Sequence, residues 1–339
     1  MKHLVSIICP IYNEERFIVK CVDSILQQDY PRDSVEVFFV DGQSTDNTRV
    51  LLAPYLEQYT FIHLLDNPEK VVPYALNYGI KASKGDVIIR LDGHCVYPDN
   101  YVSVLVHHLF ELSADNVGAL WNTLPANNRV VANAIAIASS HKFGVGASLH
   151  KVGSTEIVET DTVPFGCYRR EVFDRIGLFD TDLIRNQDDE FNARLINAGG
   201  KIVLIPELVI DYTARDTVYK MARMYYQYGL FKPLVNKKLG APATIRQFFP
   251  LLFLLGIVVG ALVCAFIPFL WYFYVAVLLL YFLLGFVFGI QAANNKKQLA
   301  LMFVLPILFF IIHMSYGWGY LSGIMKLILK QRFAVNVNR

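Results

Sequence analysis

Val35-Glu36-Val37-Phe38-Phe39-Val40-Asp41-Gly42-Gln43-Ser44-Thr45-Asp46-Asn47-Thr48 decides how the N-terminal part of this chain is read. Residues 35–40 are a short apolar run rich in β-branched and aromatic residues, the signature of a buried strand. The run stops at Asp41-Gly42, where glycine permits a tight turn. Ser44 or Asp46 then stands where it can cap a helix over residues 48–58. The same alternation extends in both directions. Residues 5–9, 61–65 and 86–91 read as strands, and residues 16–28 and 73–81 as helices. Strand–helix–strand at this spacing predicts right-handed βαβ units in a mostly parallel, Rossmann-like α/β sheet. In such sheets ligands gather at the carboxyl ends of the strands, where the unusual polar residues of this sequence fall.

The chain has 339 residues, 54% apolar and 18% charged, with a mean hydropathy of +0.38. That composition excludes a disordered chain, which is poor in apolar and aromatic residues. No Asp or Glu occurs from Phe248 onward, and that tail carries Lys296, Lys297, Lys326, Lys330, Arg332 and Arg339. Residues 1–247 hold all 29 acids and 25 of the 31 bases, a net charge of −4. An acidic front part argues against nucleic-acid binding, which needs a clustered basic surface. The five cysteines are scattered and form no metal or disulfide framework.

Residues 248–293 contain no charged side chain, too long a run for one crossing of about 20 residues. Pro268 divides it into helices near 248–267 and 270–290, and residues 299–325 are a third uncharged run. The sequence thus predicts residues 1–215 as an α/β catalytic domain and 216–246 as an amphipathic membrane-interface segment. About three transmembrane helices follow over 247–325, then a basic tail over 326–339. Lys237, Lys238 and Arg246 before the first run, and Lys296-Lys297 after the second, put those ends on the cytoplasmic side of a multi-pass cell-membrane protein. Lys326, Lys330 and Arg332 after the third run ask for the same side. Three full crossings deny it to them, so the last run is either a re-entrant hairpin or an exception to the rule.

Four clusters can carry chemistry. Cys9-Pro10-Ile11-Tyr12-Asn13-Glu14 ends the first strand. Asn13 can cap the next helix, while the Tyr12 ring can cover a base or sugar. Asp41 ends the second strand, where a carboxylate can accept a hydrogen bond from a base or ribose; a turn role competes. Asp92-Gly93-His94 ends the strand over 86–91, with a hard and a borderline ligand on alternate positions. Asn186-Gln187-Asp188-Asp189-Glu190 opens an amphipathic helix. Acids there suit the helix dipole, but three exceed that need, and one can serve as a general base.

The order and spacing of these clusters resemble the family 2 inverting glycosyltransferases of GT-A fold. The motifs are Pro-x-Tyr-Asn-Glu, Asp-Gly-x-Ser-Thr-Asp, a strand-end acid, and an acid cluster with Arg194 behind it. The resemblance covers residues 4–215. With the apolar C-terminal part, the chain is similar to the membrane-anchored, succinoglycan-type bacterial polysaccharide glycosyltransferases. The resemblance implies nucleotide binding by Pro10, Tyr12, Glu14 and Asp41. It implies a divalent cation, Mn2+ or Mg2+, at Asp92 and His94, with His94 departing from the family's second Asp. It implies Asp188 as catalytic base, with Asp189 as runner-up. The implied partners are a nucleotide-sugar donor, UDP-linked in this reading, a lipid-linked saccharide acceptor and the membrane. Transfer to polyprenyl phosphate itself, processive polymer synthesis, and a non-catalytic nucleotide-sugar-binding scaffold are the alternatives. The processive reading lacks a Gln-x-x-Arg-Trp motif, the nearest stretch being Gln227-Tyr228-Gly229-Leu230-Phe231.

Overall fold

The alternation of apolar runs and amphipathic segments is realised as strands and helices in the order the sequence predicts. A computed structural model describes residues 3–333; residues 334–339 of the basic tail lie outside the described residues. From the N-terminus come β1 (Val5–Ile11), α1 (Ile18–Leu26), β2 (Val35–Asp41), α2 (Thr48–Gln58), β3 (Ile62–Asp66), α3 (Val72–Ala82) and β4 (Val87–Arg90). Then follow α4 (Tyr101–Glu111), β5 (Asn116–Leu124), α5 (Val130–Ser140), α6 (Lys142–Val145), α7 (Leu149–Val152), β6 (Val158–Glu159), β7 (Cys167–Arg169), α8 (Arg170–Ile176), α9 (Gln187–Asn197) and β8 (Ile202–Thr213). The eight strands form one sheet in the order β3-β2-β1-β4-β7-β5-β8-β6. β3, β2, β1 and β4 are parallel, and β7 runs antiparallel to both β4 and β5. The apolar alternation predicted for β1, β2 and β4 is buried on both faces, as a sheet covered by helices requires. Gly79 lets α3 seat on β1, since a Cβ there would stand 2.4 Å from Ile8 Cγ2.

The chain divides into two compact units. The first is residues 1–122 with 153–211; the second is residues 123–152 with 212–339. Residues 123–152, which the sequence reading placed within the 1–215 domain, therefore pack with the C-terminal part.

In the second unit, α10 (Val218–Leu239) is followed by α11 (Phe249–Phe266), α12 (Leu270–Lys296) and α13 (Leu301–Ile328). These last three are long and apolar enough to cross a membrane. α13 is continuous through Pro306, so the re-entrant hairpin allowed for the last run does not form. Met221, Met224 and Tyr225 of α10 share one buried cluster with Ala134, Ile135 and Ala138 of α5 and Leu305, Leu308, Phe309 and Ile312 of α13. Small residues bring α10 and α13 into backbone contact: a Cβ on Gly319 would lie 2.0 Å from the Tyr226 carbonyl, and one on Gly323 2.3 Å from that of Leu230. No residue of α10 from 221 to 236 is exposed.

Candidate active site

The loops after β1 and β2 are locked together by their polar residues. Asn13 adopts φ +56°. Its backbone N–H donates to Ser44 Oγ at 2.9 Å, and its Oδ1 accepts from the Thr45 backbone at 2.8 Å. Asn13 is therefore a brace between loops, not the helix cap expected of it. The Glu14 N–H donates to Thr48 Oγ1 at 2.7 Å, and the Glu15 N–H donates to Asp46 Oδ2 at 3.1 Å. Asp46 also accepts from the Thr48 backbone at 3.0 Å, fulfilling its turn role at the start of α2. Pro10 lies within β1, in register with Val40 of β2.

Asp41 is wholly buried at the end of β2. Its carboxylate accepts from the Ser44 backbone at 3.0 Å and from Arg49 Nε at 2.5 Å. Arg49 also reaches Asp66, and these two carboxylates push the guanidinium pKa up. The side chain offered by sequence as a base acceptor thus holds its own loop in shape. Tyr12 keeps 36% of its surface exposed, and its ring passes close beside Gly42, where an added Cβ would stand 3.3 Å from Cδ2.

Arg90 ties the chemistry of the distant clusters together. It ends β4 with its side chain buried, where a lone charge would be costly. The guanidinium donates to Asp92 Oδ1 at 3.1 Å and to Asp188 Oδ1, and it lies over the Phe165 ring at 5.9 Å. Burial works against its charge, but Asp188 and Asp92 outweigh burial and raise its pKa. Asp188 sits in the first turn of α9, after Asn186 in the left-handed region at φ +60°. Burial raises the Asp188 pKa, and Arg90 opposes that rise. Its side chain nevertheless retains 31% exposure, so the carboxylate is reached by solvent. Glu190 is taken up by Arg194 at 2.8 Å, which leaves the three-acid cluster divided between different tasks.

The Asp92 N–H donates to the hydroxyl of buried Tyr97 at 2.8 Å, which fixes the Asp92-Gly93-His94 turn. His94 Nδ1 lies 3.5 Å from Oε1 of buried Glu14. A chain of contacts therefore runs from Asp41 through Ser44, Asn13 and Glu14 to His94, and from Asp92 through Arg90 to Asp188. A carboxylate suits a hard cation such as Mn2+ or Mg2+, and an imidazole a softer one. Among the described residues the three metal-ligating side chains with ligand atoms within 4.8 Å of one another are His107, His108 and Glu111, on α4, and Asp92 and His94 are not among them.

Arg90, Arg49 and Tyr97 were not assigned roles from sequence. Arg90 carried a usable signal, a charge inside an otherwise apolar strand. Arg49 and Tyr97 carried none.

The model of the family described as "Glycosyl transferase family 2" matches residues 6–177. The chain is 28% identical over 335 residues to the dolichyl N-acetyl-alpha-D-glucosaminyl phosphate 3-beta-D-2,3-diacetamido-2,3-dideoxy-beta-D-glucuronosyltransferase of Methanococcus voltae, covering 96% of this chain and 98% of that one. It is also 28% identical over 247 residues to the succinoglycan biosynthesis protein ExoA of Rhizobium meliloti, covering 72% and 74%. In fold it resembles a mannosyltransferase from Pyrobaculum calidifontis in complex with GDP-Man and Mn2+, with a TM-score of 0.58 and 19% identity over 91% of this chain and 87% of that one. With its GT-A-like sheet and the family match over residues 6–177, the chain belongs to glycosyl transferase family 2 and is a glycosyltransferase.

Proposed function

We propose that the protein transfers a sugar, with inversion, from a UDP-linked donor to a saccharide carried on a polyprenyl diphosphate at the cytoplasmic leaflet. The observation that carries this reading is Arg90 held between Asp92 and Asp188, which draws residues 96 positions apart in sequence into one cleft. The named acceptor of the Methanococcus voltae relative is itself lipid-linked, which supports the choice of acceptor. The apolar helices of the second unit keep the enzyme at the membrane where such an acceptor resides.

Asp188 acts as general base. The acceptor hydroxyl gives its proton to the carboxylate while its oxygen attacks the anomeric carbon, and the bond from that carbon to the diphosphate breaks on the opposite face. A carboxylate with a raised pKa is a better proton acceptor near neutrality. Arg90 keeps it ionised and oriented. Asp92 and His94 would hold Mn2+ or Mg2+, which when bound neutralises charge on the leaving diphosphate. Tyr12 and Pro10 form the wall against the nucleotide, while Glu14 and Asp41 hold the loops that shape it.

The test uses the full-length protein in detergent, radiolabelled UDP-sugars and a polyprenyl-diphosphate-linked acceptor, with and without Mn2+. A single added sugar of inverted anomeric configuration supports the reading. A polymer, a retained configuration or no turnover overturns it.

A further inference from the structure

We infer that α13 lies along the membrane surface and that the chain crosses the bilayer only as the α11–α12 hairpin, which replaces the three crossings read from hydropathy. The two hairpin helices run antiparallel, with Tyr274 donating to the Ile257 carbonyl at 3.0 Å and Phe253 stacked on Tyr281 at 4.5 Å. The connection at Pro268 is the closed end; Phe249 and Lys296 mark the open end. The contacts of α13 with this pair include Gly289 to Tyr281 on α12, where Tyr281 bonds His313 at 2.7 Å, and Pro250 to Leu254 on α11. Gly289 packs on Met302 and Gly285 on Pro306. Phe310 and His313 meet Phe253. Gly317 then packs on Pro250, and Tyr320 meets Phe248 at 5.7 Å. Along its length α13 therefore starts beside Gly289 on the open-end side of α12, reaches the level of Leu254 and Tyr281 midway, and returns to Phe248.

Its other neighbours precede the first crossing. At one end Asn133 of α5 donates to Gln298 at 3.3 Å. Phe309, midway, meets His141 and Phe143 at 5.5 and 5.1 Å. Toward the other end Asn236 of α10 donates to the Tyr320 hydroxyl at 2.8 Å, and Phe231 meets Phe333 at 5.7 Å. A helix flanked at both ends by segments from before the hairpin stays on their side. The exposed apolar residues of α13, Phe303, Ile307, Trp318, Met325 and Ile328, fall within an arc of about 80° at 3.6 residues per turn. That single stripe fits a helix lying in the interface. By contrast α12 exposes large apolar side chains over an arc of about 240° between Trp271 and Leu284, as a helix facing lipid on most of its circumference does. This arrangement returns Lys326, Lys330 and Arg332 to the side of Lys237, Lys238, Arg246, Lys296 and Lys297, which satisfies the positive-inside rule throughout.

The test is cysteine labelling of the full-length protein in sealed vesicles with a membrane-impermeant maleimide; the five native cysteines are buried. Phe269→Cys reports the closed end and Gln331→Cys the end of α13. The two are expected to label from opposite faces. Labelling of both from the same face overturns the inference and restores three crossings.

A separate observation concerns the seam of α10, α11 and α13, which holds a groove of about 620 Å³ lined by Arg223, Gln227, Leu254, Ser315, Trp318 and Lys326. Its floor is apolar, its cations stand on two different helices, and no acid occurs in residues 248–339. We propose that it binds the phosphate-bearing end of an isoprenoid lipid, with Arg223 or Lys326 on the phosphate and the chain against Leu254 and Trp318. As an acceptor site this rests on the function proposed above; as a binding site it is tested without it. Polyprenyl monophosphate added in detergent is expected to change the intrinsic fluorescence of the wild type. The change should be lost in Trp318→Phe and need about tenfold more lipid in Arg223→Gln with Lys326→Gln. No response in the wild type, an unchanged titration in the double variant, or an equal response to phosphatidylglycerol overturns the site. Failure of the wild type to glycosylate any lipid acceptor while this binding persists would instead sink the proposed acceptor.

Discussion

Removing the positive charge between Asp92 and Asp188 exposes how the candidate base is tuned. In Arg90→Gln both carboxylates lose the guanidinium that each contacts. Unit charges about 4 Å apart interact by about 4 kcal/mol at an effective dielectric constant near 20. The Asp188 side chain is 31% exposed, and solvent screening reduces that coupling. The direction follows from the opposing causes. Burial already raises the Asp188 pKa and Arg90 restrains it, so losing Arg90 moves it higher. The base is active when ionised, so activity falls as pH drops through its pKa. The acid limb of kcat/KM is expected to move to higher pH in the variant, a shift in a proton-transfer group being read directly from the pH profile. Arg90→Lys keeps the charge but not the two-armed geometry. It should restore most of the limb's position while recovering less of the rate. Circular dichroism and thermal melts establish that the variants are folded. A folded Arg90→Gln enzyme with an unmoved acid limb would refute the coupling of Arg90 to the base.

The other expectations follow from the same geometry. Asp188→Asn should lower turnover by about 10²–10⁴ while UDP still raises the melting temperature; Asp189→Asn should stay within a few-fold of the wild type, and a reversal would move the base by one residue. Asp92→Asn should weaken the response of turnover to added Mn2+, read as a higher metal concentration for half-maximal rate. Asn13→Ala removes the brace to Thr45 and should raise KM for the donor with little change in the lipid acceptor's KM. Gly319→Leu pushes side-chain atoms into the Tyr226 carbonyl and should lower the melting temperature of the detergent-solubilised protein by several degrees, an overpacking cost of about 1–3 kcal/mol.

The parallel half of the sheet was legible because its strands are buried on both faces and its turns carry their own chemistry. The helix expected over residues 48–58 forms with those bounds, since the polar turn before it and Tyr59 after it leave little choice. Local sequence was less informative about polar side chains that act across loops. Asn13 reads as a cap because residues that cap helices also brace turns; only the neighbouring chain, here Ser44 and Thr45, decides between the two. Asp41 reads as a ligand for a base, and local spacing gives no sign that Arg49, eight positions away, also holds its carboxylate. The Asp92–Arg90–Asp188 bridge needs a residue from the other side of the sheet, which no local spacing encodes.

The C-terminal helices extend this lesson to the membrane. Hydropathy measures how much a segment dislikes water, and it ranks α13 with α11 and α12. It does not measure what removes the segment from water. In α12 the exposed apolar surface spans about two thirds of the helix, and lipid is the remaining solvent for it. In α13 much of the apolar surface meets α5 and α10, and Gly317, Gly319 and Gly323 are small because other backbones press against them. A glycine-rich apolar helix thus carries two readings, a crossing packed against other crossings or a surface helix packed against its own protein. The conflict of basic clusters at residues 237–246, 296–297 and 326–332 was the sequence's sign that the second applies. It disappears once only one hairpin spans the bilayer, and the labelling pattern of Phe269→Cys and Gln331→Cys decides it.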